Sequence, residues 1–259
     1  AAHALTPIVC PLCGTDNPSQ SATDRYGYAI GVSRCGCGLA YLNPRMSAAQ
    51  YERFYETAYR PLVSQFCGMD TRGAVAHRDA RGRARLIGEV LTQRLGHAET
   101  VVDVGGGSGI SAQVIAKALG CRAITVVDPN PEDIAAAIQA GCVGIVGIPD
   151  TLPPLATLSD MMLSLQTADH WLDPITTLRW MRAGCRLGGH LWVDIVDMPA
   201  KAMRLAGEWA WKIDHPLYWS ATSFRRALSQ TGWRVCEQFI SSHRGRPKFY
   251  RPAFFCEGV

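Results

Sequence analysis

The stretch TVVDVGGGSGISAQVIAKALG, residues 100–120 of a 259-residue chain, decides the fold class. Its first five residues are β-branched apart from Asp103, which predicts a buried parallel strand. Residues 105–109 are mostly glycine and predict a turn. Residues 110–119 place apolar side chains at helical spacing and stop at Gly120. A strand, a glycine turn and a helix in this order begin a doubly wound α/β domain.

The glycines of this turn indicate which ligand it binds. Gly105, Gly107 and Gly109 form a G-x-G-x-G pattern, and Ile110 stands where the dinucleotide fingerprint has its third glycine. A pyrophosphate is bound by bare helix N–H groups, and the nearby carboxylate of Asp103 would repel it. The same carboxylate attracts an ammonium group. S-Adenosylmethionine (SAM) carries an ammonium, a carboxylate and a sulfonium, so the turn favours SAM over NAD.

The next strand and helix, in CRAITVVDPNPEDIAAAIQAG (residues 121–141), support a nucleoside ligand. Asp128 ends the predicted strand, where an acid can accept hydrogen bonds from both ribose hydroxyls. Because Pro129 follows, Asp128 alone would also suit a turn into the helix. Beside the glycine turn, the ribose-binding role is favoured.

Two cysteine pairs near the N-terminus predict a metal site. Cys10 and Cys13 are spaced C-x-x-C, Cys35 and Cys37 are spaced C-x-C, and a glycine follows each pair. Such a glycine lets backbone N–H groups point at the thiolates, and the alternating residues 24–33 predict two short strands, as in a zinc ribbon. Four thiolates make a closed, structural zinc site with no open position for catalysis. A redox disulfide and plain buried thiols remain alternatives.

Composition limits the class of protein. Hydrophobic residues make up 47% and charged residues 19%, which is typical of a globular chain, and a net charge of +4 is too weak by itself to indicate nucleic acid. An arginine-rich stretch, residues 71–86, is interpreted as a solvated helix face, with an anion-binding surface as the alternative. No apolar run reaches the roughly 18 residues of a membrane span, and the six other cysteines are scattered singly. We therefore expect a cytoplasmic protein.

The motifs VVDVGGGSG and VVDPN resemble the first two motifs of the class I SAM-dependent methyltransferases. The segments CPLCG, SRCGCGLAYLNPR and RFYETAYR resemble the zinc-binding segment that precedes the catalytic domain in a bacterial subgroup, many of which act on sugars, secondary-metabolite precursors or cell-envelope precursors. The resemblance implies a Rossmann-like, seven-stranded, mostly parallel sheet with an antiparallel last strand, helices on both faces and a small N-terminal zinc ribbon.

The expected domains are a ribbon at 1–45, a helical linker or lid at 46–99 and a methyltransferase domain at 100–259, with an acceptor-site insert at about 197–222. Ser47 is predicted to cap a helix. Aromatic residues at 51, 54 and 55 are interpreted as packing that docks the ribbon, and a lid over a pocket formed by Tyr55 and Tyr59 is the alternative.

Position by position, the resemblance also implies the cofactor contacts. The methionine end would meet Asp103 and the three turn glycines, the ribose would meet Asp128, and the adenine would lie beside Pro129. Ile148 replaces the family's usual first acid near the adenine, and Asp150 takes the second acidic position. Gln166 and Thr167 would face the cofactor.

Methyl transfer is an in-line displacement that needs alignment and, for a protonated nucleophile, a base. His170 lies in the loop after the fourth strand, where a positioning role is favoured over a base. His215 lies in KIDHPLYWSATSF, residues 212–224, beside Asp214 and Tyr218, and both a catalytic and a structural role stay open for it. Ser220 is predicted to cap the following helix.

The favoured function is therefore a SAM-dependent methyltransferase acting on a small molecule. A methyltransferase acting on RNA and a SAM-binding regulator without transferase activity are the alternatives. The acceptor, the methylated atom and the oligomeric state do not follow from the sequence.

Overall fold

The computed structural model describes residues 5–68, 70, 74–196, 211–241 and 251–259. Residues 197–210 of the expected insert, and with them Trp209, lie outside this range, as does Arg72 of the arginine-rich stretch. The described strands are β1 Ser19–Thr23, β2 Ala29–Arg34, β3 Ala40–Leu42, β4 Thr100–Val104, β5 Ala123–Asp128, β6 Val143–Val146, β7 Ser159–Ser164, β8 Cys185–Asp194, β9 Leu217–Tyr218, β10 Trp233–Ser241 and β11 Arg251–Gly258. The described helices are α1 Ala48–Thr57, α2 Tyr59–Cys67, α3 Ala74–Leu95, α4 Ile110–Leu119, α5 Pro131–Gln139, α6 Pro174–Ala183 and α7 Ala221–Gln230.

The larger sheet has seven strands in the order β10-β11-β8-β7-β4-β5-β6. Neighbours among β4 to β8 pair in parallel, and β11 pairs antiparallel with both β8 and β10. This confirms the predicted Rossmann-like sheet with its antiparallel last strand. The unit β4–α4 has the predicted bounds, with Gly109 and Gly120 at the ends of the helix in left-handed conformation.

The core lies on both faces of this sheet because successive residues of β4 point in opposite directions. Val101 packs in a cluster with Leu91 of α3 and Ile115 of α4. Val102 packs in a second cluster with Leu178 of α6 and Phe224 of α7. Helices therefore cover both faces, as expected. Helix α3, assigned from sequence to the linker or lid region, packs on α4.

The smaller sheet joins the N-terminal segment to a distant part of the chain. Its four antiparallel strands have the order β1-β2-β3-β9, and β9 follows β8 in sequence. Tyr41 of β3 pairs with Leu217 of β9, and both belong to the core cluster that contains Trp219. The ribbon is therefore continuous with the larger domain in strand pairing and in core packing.

One detail of the predicted ribbon strands is wrong. Tyr26 and Tyr28 lie in the turn between β1 and β2 and not in a strand. The reason is Asp24, whose Oδ1 accepts hydrogen bonds from the backbone N–H groups of both tyrosines, while Gly27 adopts a φ of +89°.

The predicted helix starts are confirmed. Ser47 caps α1 in a capping box with Gln50, and Ser220 caps α7. Within the described part of the chain, no helix has the length and apolar character needed to cross a membrane.

Candidate active site and cysteine cluster

A cavity opens at the carboxyl ends of β4, β5 and β7, the usual ligand position in an open α/β sheet. The glycine turn lies on one side of it and helices α1 and α2 lie on the other. The predicted site residues that line it are Gly105, Gly107, Asp128, Pro129, Asp150, Gln166, Thr167 and His170.

The glycines of the turn differ in their surroundings. Gly105 and Gly107 line the cavity with φ values of +77° and +54°, and a Cβ at Gly107 would point into open space. A Cβ at Gly105 would collide with the side chain of Thr167. Gly109 is not among the lining residues; it ends the turn as the N-cap of α4, and a Cβ there would press against Val126 at 3.1 Å. Two of the glycines therefore line the cavity, and the third serves packing.

Asp103 lies beneath the turn. Its side chain is 1% exposed, and neither carboxylate oxygen has a hydrogen-bond partner among the described residues. Burial, followed by the charges of Asp128 and Asp194, raises the pKa of Asp103 to about 7. A buried carboxylate without a partner is costly, and an ammonium group brought in by a ligand would offset that cost.

Asp128 lines the cavity at the end of β5. Its Oδ2 accepts from the Gly107 N–H at 2.9 Å, and its Oδ1 accepts from the Asn130 N–H at 2.9 Å. Burial raises the pKa of this carboxyl group, while these two N–H groups lower it. Each oxygen keeps a further lone pair for a ligand hydroxyl. The carboxylate is thus held in a fixed orientation at the cavity wall by two backbone N–H groups.

Asp150 lines the cavity with its carboxylate already engaged. Its Oδ1 accepts from the Thr177 hydroxyl at 2.8 Å, and its Oδ2 accepts from the Asp173 N–H at 3.1 Å. Pro129 and Ile148 line the same region with apolar surface, which suits a flat base. Asp150 therefore also anchors the start of α6.

The loop after β7 brings two more predicted residues to the cavity. Gln166 has a φ of +59°, which is unusual for a residue other than glycine, and its N–H donates to Asp194 Oδ1. The Thr167 hydroxyl donates to the Val104 carbonyl at 3.1 Å and so ties the loop to β4. Gln166 Nε2 and Trp171 Nε1 are buried donors without a hydrogen-bond partner in the described structure, and both residues line the cavity.

Helices α1 and α2 form the opposite wall. Tyr51, Tyr55 and Tyr59 line the cavity, with ring centroids 6.2 Å apart for the first two and 5.1 Å apart for the last two. The position of Tyr55 and Tyr59 at the cavity is compatible with the lid alternative, which stays a prediction. Arg60 Nη2 contacts Asp133 Oδ2 at 2.8 Å and links α2 to α5. Sequence reasoning missed Tyr51 and Arg60 as cavity residues, although the spacing of the tyrosines by four was a usable signal.

His170 is the catalytic candidate that lines the cavity. Its Nδ1 lies 2.7 Å from the Tyr55 hydroxyl, and its ring contacts that of His215 edge to face, with centroids 4.5 Å apart. Burial is the main cause that lowers the pKa of His170 to about 4. The imidazole is therefore neutral at neutral pH and keeps a free lone pair, while its low pKa makes it a weaker base than an ordinary histidine.

The other three catalytic candidates are buried residues that do not line the cavity. His215 Nε2 lies 3.6 Å from Asp214 Oδ2 and 3.0 Å from Lys212 Nζ. The Tyr218 hydroxyl accepts from the Lys212 N–H at 2.6 Å and donates to the Lys212 carbonyl at 3.0 Å. Lys212 was not a candidate from sequence, although it lies only three residues before His215 and its side chain contacts the imidazole within the same turn.

The four predicted metal ligands converge in the ribbon. Their sulfur atoms all lie within 4.8 Å of one another, with 3.7 Å between Cys10 and Cys37 and 3.4 Å between Cys13 and Cys35. Zinc–sulfur bonds of about 2.3 Å in a tetrahedron place sulfurs about 3.8 Å apart, whereas a disulfide requires about 2.05 Å. The geometry therefore fits a four-thiolate ion site and not two disulfides.

Known proteins resemble this chain in sequence and in fold. The family model described as "Methyltransferase domain" matches residues 51–238. The chloroplastic 2-methyl-6-phytyl-1,4-hydroquinone methyltransferase of Arabidopsis thaliana is 30% identical over 93 residues, which are 34% of this chain and 28% of that protein. The match thus spans little more than a quarter of that relative's length.

Two solved structures share the fold at low identity. Burkholderia thailandensis 1,6-didemethyltoxoflavin-N1-methyltransferase, with 1,6-didemethyltoxoflavin and S-adenosylhomocysteine bound, is 16% identical with a TM-score of 0.61, over 89% of this chain and 95% of that one. The magnesium protoporphyrin IX methyltransferase of Synechocystis PCC 6803, with S-adenosylhomocysteine bound, is 11% identical with a TM-score of 0.61, over 82% and 100%.

The unpartnered carboxylate of Asp103, the open glycine turn and the oriented carboxylate of Asp128 fit SAM. The family model covers most of the chain, including the whole of this cavity wall from β4 to α6. The chain therefore belongs to the methyltransferase-domain family.

Proposed function

We propose that this chain is a SAM-dependent methyltransferase that acts on a small-molecule acceptor, which binds between the cofactor and the wall formed by α1, α2 and His170. The observation that carries the proposal is a single cavity with cofactor-type groups on one side and an aromatic wall with a neutral histidine on the other. The substrates named for the Arabidopsis and Burkholderia proteins, a hydroquinone and a toxoflavin precursor, are small molecules.

The cofactor residues have separate proposed roles. Asp103 would pair with the ammonium of the methionine end, since it is the buried carboxylate without a partner. Asp128 would bind the ribose hydroxyls, and Pro129 and Ile148 would pack on the adenine. Gln166 would offer its side-chain amide to the ligand, and Thr167 would hold the loop in place. When bound, SAM supplies an electrophilic methyl group.

The acceptor side depends on His170. Its ring borders the cavity in neutral form, so it would accept the proton that the acceptor loses. The Tyr55 hydroxyl orients this ring, while His215 and Asp214 support it from behind. Tyr218 would act indirectly, by holding the backbone of Lys212.

We also propose that the cysteine cluster binds one structural Zn²⁺ and that the ribbon occupies residues 1–45. Four thiolates leave no open position on the ion, so it would take no part in methyl transfer. The family match begins at residue 51, after the ribbon. The division of the remaining chain at residue 100 stays a proposal, and the packing of α3 on α4 counts against it.

The acceptor class and the base can be tested together. Crystals grown with S-adenosylhomocysteine and soaked with candidate hydroxyl, amine and quinol acceptors should show a small molecule against Tyr55 and His170. His170→Ala should bind S-adenosylhomocysteine as the wild type does and lose most single-turnover methyl transfer. A His170→Ala protein with the wild-type transfer rate would contradict the proposed base.

The RNA alternative receives no support from the site. In the part of the chain that the structure describes, the arginines of α3 lie outside the cavity lining. Salt-insensitive acceptor binding would argue against that alternative.

A further inference from the structure

The turn at residues 212–215 presents a lysine to the histidine pair. The backbone N–H of His215 donates to the backbone carbonyl of Lys212 at 3.1 Å and closes the turn. The Tyr218 hydroxyl contacts both the N–H and the carbonyl of Lys212. Tyr218 is itself paired with Ala40 of the ribbon. The backbone at Lys212 is thus fixed from two directions.

The Lys212 side chain makes a contact that determines the tautomer of the His215 imidazole. Its Nζ lies 3.0 Å from His215 Nε2. An ammonium group has only donors, so Nε2 must accept in this contact, and a neutral His215 then carries its proton on Nδ1. A protonated His215 would oppose the ammonium, because both groups would be cationic donors.

The same cluster could be interpreted as a metal site. One ligand atom each of His170, Asp214 and His215 lies within 4.8 Å of the others. Lys212, however, uses the Nε2 lone pair that a metal ion would need, and its positive charge would repel the ion. The geometry therefore favours proton handling over metal binding.

Charged groups reach the histidine pair from every side. Lys212 on the same loop and Arg60 of α2 lower the pKa of His170, and Asp214 raises it. The phenols of Tyr55 from α1, Tyr59 from α2, Tyr218 from β9 and Tyr26 from the ribbon turn lie near this pair or Asp214, and burial raises the pKa of each. These phenols are therefore neutral, and the charged groups of the described chain that act on His170 include the cations of Lys212 and Arg60 and the carboxylate of Asp214.

We propose that Lys212 is a positioning residue: it fixes the tautomer of His215, whose ring packs edge to face on that of His170, and its charge adds to burial in disfavouring protonation of His170. The tautomer part stands on the contact geometry alone. The consequence for the acceptor rests on the proposed function, in which His170 receives the proton. Removing a nearby cation favours protonation of an imidazole, so loss of Lys212 should raise the pH at which His170 becomes neutral.

Lys212→Met and Lys212→Arg test the inference, with Lys117→Met on the exposed face of α4 as the control. Nitrogen-15 NMR of labelled histidines reports tautomer and titration without any acceptor. We expect the Nδ1–H tautomer for His215 in the wild type and its loss in Lys212→Met. The His170 titration should move up by roughly one pH unit in Lys212→Met. Lys212→Arg should restore both signals, and S-adenosylhomocysteine binding should stay within about twofold in all variants, which checks folding.

The acidic limb of the single-turnover pH profile should move with the NMR titration in Lys212→Met. Wild-type tautomers and titrations in that variant would overturn the inference, whatever the activity. NMR shifts as expected with an unchanged pH profile would instead overturn the role of His170 as proton acceptor, and with it that part of the proposed function.

Discussion

At the scale of single residues, the site depends on carboxylates whose surroundings prepare them for a ligand. Asp103 is buried without a partner, and Asp128 is held by two backbone N–H groups. The first is costly until a cation arrives, while the second is already oriented. The two residues should therefore respond differently to pH and to substitution.

The pKa of about 7 at Asp103 makes cofactor binding depend on pH. If only the ionised form pairs with the ligand ammonium, affinity for S-adenosylhomocysteine should rise about tenfold between pH 6 and pH 8. Calorimetry at both pH values measures this, and Asp103→Asn should bind weakly with little pH dependence. An equal affinity of the wild type at both pH values would contradict the assigned pairing.

The raised pKa of Asp103 also makes the free energy of unfolding depend on pH, but this quantity should fall with rising pH whereas the affinity for S-adenosylhomocysteine should rise. The folded pKa lies above the ordinary value of 3.8, so the folded state holds a proton that the unfolded state has lost between about pH 4 and pH 7. The contribution of Asp103 to the free energy of unfolding should therefore fall as pH rises through this range. In Asp103→Asn this pH-dependent contribution should vanish. Urea unfolding of the wild type and of the variant at pH 5 and pH 7 tests this, because the free energy of unfolding should change less between the two pH values in the variant.

Asp128→Ala should weaken S-adenosylhomocysteine binding, because two ribose hydroxyls would lose a charged acceptor. The expected loss is on the order of 1.5–3 kcal/mol, or roughly 10- to 150-fold in affinity. Asp79→Ala on the exposed surface of α3 is the matched control. A change below twofold in Asp128→Ala would remove this residue from the ribose site.

At the scale of elements, the turn between β1 and β2 holds the segment that carries Asp214 and His215. Asp24 is buried, and its Oδ2 accepts from the Ile213 N–H at 2.8 Å while its Oδ1 serves the turn. The Arg25 N–H donates to the Trp211 carbonyl at 3.1 Å. Two contacts thus tie the ribbon turn to the backbone just before the histidine.

Asp24→Ala should remove the acceptor of the Tyr26, Tyr28 and Ile213 N–H groups and lower the free energy of unfolding by about 1–3 kcal/mol. Methyl transfer should fall more than S-adenosylhomocysteine binding, because the loosened segment supports His170 and not the glycine turn. Thermal unfolding and single-turnover assays measure the two effects, with Asp16→Ala, an exposed ribbon carboxylate, as the control. Equal losses of binding and transfer would show that Asp24 supports the whole fold.

At the scale of the whole molecule, one core includes the cysteine cluster and the centre of the catalytic domain. Cys10 and Tyr41 of the ribbon belong to the same buried cluster as Trp219 and Phe224. The pairing of β3 with β9 adds backbone hydrogen bonds to this packing. Damage at the proposed zinc site should therefore reach the acceptor wall through β9.

Purified protein should contain one zinc ion per chain by elemental analysis. Cys10→Ser should lose the ion. Methyl transfer and acceptor binding should fall more than S-adenosylhomocysteine binding, because the glycine turn follows a strand of the other, seven-stranded sheet. Cys67→Ser, at an exposed cysteine outside the cluster, is the control. Full zinc content in Cys10→Ser would contradict the four-cysteine site.

The sequence by itself determined the parts of this protein that depend on short-range patterns. The strand at 100–104, the glycine turn and the caps at Ser47 and Ser220 were predictable because propensity, periodicity and capping act within a few residues. The spacing within each cysteine pair predicted metal ligands, although the two pairs meet across 22 to 27 residues of chain. The likeness to a known family supplied the seven strands of the larger sheet and its antiparallel last strand.

Only the tertiary structure decided that α1 and α2 form one wall of the cavity, and which side chains surround the histidines. The pairing of β3 with β9 joins residues far apart in the chain, and it includes Tyr218, whose hydroxyl contacts the backbone of Lys212 next to His215. No local pattern encodes such a contact, because its free energy comes from burial and hydrogen bonds made after both segments have folded together. The roles of Tyr51 and Lys212 therefore emerged from packing, whereas Asp128 was visible in the sequence.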